Sequence, residues 1–168
     1  MATLPLVLAV VLLEVAVGGA FLVWLLDRSG QAPRGFVKLT TGVDAAAVAF
    51  AMLAVPTISA SALARDGLDP AAVGAFGQAL TVVMVLVLAH FAVAFLPWPQ
   101  VRNVVGIVVV VAGGLTLAVA AIARPSTSPY DIFALLALPL GALAVGGASA
   151  AMLLGHWYLV TPRLTTDP

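Results

Sequence analysis

The chain has 168 residues, of which 63% are hydrophobic and 8% charged, with no net charge and no cysteine. A soluble domain carries about 25% charged residues because water must solvate its surface, so this composition, with a mean hydropathy of +1.19, makes the bilayer the solvent. The balanced charge argues against a nucleic-acid partner, which needs a basic face, and the lack of cysteine rules out disulfides, thiolate metal sites and cysteine nucleophiles.

A spanning helix requires roughly 20 mostly apolar residues at about 1.5 Å each. Five stretches qualify, and the expected fold is an all-α integral membrane five-helix bundle forming one domain over residues 1–168. The first runs from about Leu4 to Leu26 and is broken only by Glu14. It has no positive leading segment and is too long for the apolar core of a signal peptide, so it reads as a retained span. The second is expected at about Ala45 to Ala64, between Asp44 and Arg65, with a kink at Pro56 that Thr57 or Ser59 helps to satisfy. Before it, Asp27 to Val43 is the longest polar connection.

Residues Ala71 to Gly77 form an expected short interfacial helix ahead of the third span, Gln78 to Leu96, which the Pro97-Trp98-Pro99 breaker stops. The fourth runs from Val104 to Ala123 and ends at Arg124-Pro125. The fifth, about Ile132 to Val160, ends near Pro162 and is longer than a bilayer needs, so tilt or a kink at Pro139 is expected. Gly18, Gly19, Gly113, Gly114, Gly141, Gly146, Gly147, Ala150 and Ala151 read as close-approach positions between helices.

Basic residues near the span ends set the orientation. With the N-terminus outside, Arg28, Arg34, Lys38, Arg102 and Arg163 are cytoplasmic, while Arg65 and Arg124 are external. The expected location is the cell membrane, multi-pass, with the C-terminus in the cytoplasm.

Three ionisable side chains fall inside the expected spans: Glu14, His90 and His156, all on helices of the same direction. His90 is seven residues before Pro97 and His156 six before Pro162, so both lie roughly 10 Å below one membrane face. Each precedes an aromatic, Phe91 or Trp157. Two neutral imidazoles at matched depth suit bis-histidine ligation of a b-type haem, with magnesium of a chlorin held by one of them as a variant. Ala94 with Gly155 or Ser149 would leave room for the ring. The competing reading makes His156, Trp157, Tyr158 and Arg163 an aromatic belt at headgroup level, with His90 bonded to a neighbouring helix.

Copper held by Met152 and His156 lacks a further ligand, because Met84 points away from His90. Glu14 lies roughly 20 Å down, near the midplane, too deep to join both histidines in a metal site. With Gly18 one turn away on its face, Glu14 is expected to point into the bundle, as a proton relay, a quinone partner or a neutral interhelical acid.

No nucleotide, serine-hydrolase or zinc-protease motif is present. The expected function is a multi-pass subunit of an electron-transfer complex, binding haem or quinone through His90 and His156 and contacting other membrane subunits. The alternatives are a cofactor-free structural or assembly subunit, and a small proton-coupled transporter using Glu14.

Overall fold

The computed structural model describes residues 4–122 and 131–160, in which five helices are long and apolar enough to cross a membrane. The chain is an all-α bundle: α1 is Leu4–Arg28, α2 Arg34–Ala54, α3 a short Ala60–Arg65, α4 Pro70–Val93, α5 Pro99–Ile122 and α6 Asp131–Val160. Successive long helices alternate in direction. The ends of α1, α4 and α6 and the starts of α2 and α5 therefore share one face of the bundle. Arg124, Pro162 and Arg163, expected at span ends, lie outside the described residues.

Turn chemistry explains two of the helix ends. At the end of α1, Gly30 takes φ +73°, which lets Gln31 N–H reach the Leu26 carbonyl at 3.0 Å and Gly30 N–H reach Asp27 at 3.1 Å. Gly67, φ +66°, closes α3 the same way, with Leu68 N–H on the Leu63 carbonyl at 3.0 Å. Both are left-handed C-terminal caps that favour glycine.

Three boundaries differ from those read from hydropathy. The second span begins at Arg34, not Ala45, so most of the expected polar connection is helix. Phe36, Val37, Thr40, Thr41, Asp44, Ala47, Val48 and Ala51 are buried at helical spacing, and one face of α2 packs on α1 although its average composition is polar. Pro56 ends this span rather than kinking it. A 3₁₀ turn, Val55–Thr57, follows, and the Thr57 hydroxyl donates to the Ala54 carbonyl at 2.7 Å. The stretch Ala71 to Gly77 is no separate helix but the start of α4, where Asp69 accepts from Ala71 N–H at 2.9 Å and Pro70 occupies the first helical position. Pro99 likewise opens α5.

The packing centres on α1, whose main contacts are with α6, α2 and α5; α4 lies against α5 and α2. Lipid supplies no hydrophobic drive between helices, so close van der Waals fit must hold them together. The α1–α6 crossing shows how. A side chain on Gly18 would run into the Ala142 carbonyl, and one on Gly146 would lie 2.6 Å from Gly18 Cα and 2.7 Å from the Glu14 carbonyl. Val17 fills the equivalent space at Gly113 of α5, whereas Gly114 and Gly147 face open space. Large apolar residues such as Val104, Val111 and Leu115 of α5 point outward, as a lipid-facing surface requires.

Gly18→Ala should therefore destabilise the bundle by about 1–3 kcal/mol through overpacking, seen as a lower melting temperature in detergent. Gly147→Ala should leave that temperature unchanged.

Candidate functional site

Polar chemistry inside the bundle is arranged at three depths around α1. At the shared end, Asp27 in the last turn of α1 meets Arg102 in the first turn of α5. The guanidinium grips the carboxylate with both arms, Nε to Oδ2 and Nη2 to Oδ1, each at 2.7 Å. Arg102 Nη1 also donates to the Leu96 carbonyl at 3.4 Å. Both side chains are more than nine-tenths buried. A forked pair of this kind fixes orientation as well as charge.

His90 of α4 sits beside this pair, 2% exposed and within electrostatic reach of both Asp27 and Arg102. Its ring faces Gly106 of α5. A methyl group there would lie 3.2 Å from His90 Nε2 and 3.3 Å from Trp24 Cδ1, so imidazole and indole close over the same glycine. Around the rim, Arg28 lies over the Trp24 ring at 5.6 Å and Lys38 over Phe95 at 4.7 Å, contacts that anchor cations near the membrane surface.

His156 lies elsewhere. It is exposed on α6, and α6 shares no packed interface with α4, from which α1 separates it. The structure thus does not bring His90 and His156 together: one ring is enclosed among α1, α4 and α5, the other faces outward. The facing pair that a bis-histidine haem needs is not formed between them within this chain, and His90 lines none of the cavities at Glu14, Phe50, Val108 or Trp24. Matched depth was legible from residue counting, but the azimuth of each helix was not. Trp157 packs its indole on Gly35 at the start of α2, Tyr158 is 41% exposed and Met152 is exposed. Among the described residues no three histidine, aspartate or glutamate side chains gather as a metal-binding group.

Glu14 does point into the bundle. Its Oε1 would be 2.9 Å from a methyl group at Gly141 of α6, so the carboxyl occupies the space that glycine leaves. It makes no ion pair with a described residue. It lines a cavity of about 360 Å³ whose other walls are apolar, among them Leu6, Val10 and Val11 of α1, Ala120 of α5, Leu138 of α6 and Leu68. That size falls in the range of small-molecule sites.

Asp44, which in the sequence marks a span boundary, is instead buried to 2% exposure in the middle of α2. Its Oδ1 lies where a side chain on Gly19 would be, and its Oδ2 has no hydrogen-bond partner among the described residues. The helical spacing from Phe36 to Ala51 is the signal that would have found it. The Asp27–Arg102 pair carried no such signal, because 75 residues separate its members.

Compared with protein-family models, curated proteins and solved structures, the chain matches none.

The ion pair gives a direct test. Arg102→Met alone should cost about 3–5 kcal/mol, because it strands a buried carboxylate, while adding Asp27→Leu should restore most of the loss. Denaturation of the two variants in mild detergent distinguishes these outcomes.

Proposed function

We propose that this multi-pass membrane protein is a small proton-coupled transporter in which Glu14 binds either a proton or a lipophilic cation. The supporting observation is the single carboxyl group in an otherwise apolar cavity between α1, α5 and α6. A bare carboxylate is costly in such surroundings. A proton relieves that cost, and so does an organic cation whose hydrocarbon part fills the cavity. The two ligands then exclude one another: the acid form releases its proton to the aqueous phase as the cation arrives, one positive charge for another. Under the positive-inside rule, the end carrying Arg28, Arg34 and Lys38 faces the cytoplasm. Arg102, counted with them in the sequence, is neutralised by Asp27.

The electron-transfer reading draws less support, because it relied on His90 and His156 facing one another. A haem absorption band in the purified protein that disappears in His90→Ala would favour that reading over the present one.

The exchange reading is tested with tetraphenylphosphonium and protein reconstituted in liposomes. Binding should tighten as pH rises, by up to about tenfold per unit for a one-for-one exchange. Glu14→Gln should abolish both that dependence and uptake driven by a proton gradient. Binding that ignores pH, or uptake unchanged by Glu14→Gln, would overturn the assignment.

A further inference from the structure

Exchange at Glu14 leaves a second buried carboxyl group unexplained. Asp44 is 2% exposed and Thr40, one turn earlier on the same face of α2, is 1% exposed. Neither Asp44 Oδ2 nor Thr40 Oγ1 has a hydrogen-bond partner among the described residues. Opposite them stands Gly19 of α1, and any larger residue there would collide with Asp44 Oδ1. The bundle thus reserves space for a carboxyl group and, among the described residues, offers it no cation.

The charged groups on the surrounding helices are otherwise placed. On α1, Asp27 is tied to Arg102 and Arg28 lies over Trp24, while Glu14 faces Gly141. On α4, the imidazole of His90 faces Gly106. On α6, His156 is exposed and Asp131 begins the helix at the opposite end. On α2 itself, Arg34 opens the helix and Lys38 lies over Phe95.

We propose that Asp44, with the Thr40 hydroxyl one turn away, is a second proton-binding site, at a depth between the Asp27 end of the bundle and Glu14. Along α1, Gly19 is roughly 12 Å and Glu14 roughly 20 Å from the level of Asp27, so Asp44 lies between the two in depth, against the α2 side of α1, while Glu14 faces α6. Only a proton moves: the carboxylate takes one up to become the acid and passes it on, with no change in oxidation state. Buried acids that carry protons in this way are a recurrent use of ionisable groups in membranes. The relay role rests on the exchange reading of Glu14; proton binding at Asp44 does not.

Infrared spectroscopy separates the two. In the Glu14→Gln background, which removes the Glu14 contribution, the spectrum at neutral pH should contain a protonated-carboxyl C=O band that shifts in D₂O. Asp44→Asn should remove this band, and Thr40→Val, which should fold with a methyl in place of an unbonded hydroxyl, should shift it. A band unaffected by both substitutions, or no band at all, overturns the site, whatever Glu14→Gln does to uptake. With Glu14 intact, Asp44→Asn should slow proton-driven tetraphenylphosphonium uptake about tenfold or more. Uptake at the wild-type rate with the band lost would overturn the relay alone, leaving both the proton site and the exchange at Glu14 standing.

Discussion

Lipid cannot solvate a carboxylate, so each acidic group placed inside the bundle dictates what its neighbour must be. On and against α1 the bundle answers this demand in two ways. Where Asp27 approaches the membrane surface, Arg102 supplies a charge and a matching fork of donors. Where Glu14 and Asp44 lie deeper, the opposite residue is a glycine, Gly141 or Gly19, which supplies room and nothing else. The helices that meet α1 in these three contacts, α5, α6 and α2, are the ones that surround it. Glycine positions on α1 and α6 thus decide where an ionisable group can sit.

This dependence explains why small residues on α1 and α6 are not interchangeable. Gly18 and Gly146 bring two backbones together, while Gly141 accommodates a side chain from the partner helix. A side chain at Gly114 or Gly147 would meet nothing. Composition alone treats all of them as packing glycines. Their different duties emerge only once the rotation of each helix is known.

The five spans, the inward aim of Glu14 and the glycine-mediated contact of α1 were legible in the sequence, because length, hydropathy and one-turn spacing are local properties. Asp44 was missed for a related reason. A hydropathy window averages the buried face of α2 with the charges of Arg34 and Lys38, so a half-polar helix reads as a loop followed by a shorter span. The histidine pair failed differently. Counting residues gives depth within the membrane, but facing depends on the order of helices around α1, and that order follows from contacts such as Gly18 with Ala142 and Gly106 with His90. The Asp27–Arg102 pair was invisible for the same cause: both residues read as span-end charges until α1 and α5 are set side by side.

Division of labour among the three acids follows from their partners. Asp27 is held in place by two short bonds from Arg102, and taking a proton would mean losing the partner that orients α1 against α5. Its chemistry is therefore structural, and the enclosed His90 lies beside it. Glu14 and Asp44 have no cation to lose among the described residues. For them protonation removes an unfavourable charge, and in the exchange proposed above a cation takes the place of that proton. An arrangement that pairs the outer acid, and leaves the inner two facing glycines with no cation among the described residues, fixes one end of the bundle by charge and its interior by close packing.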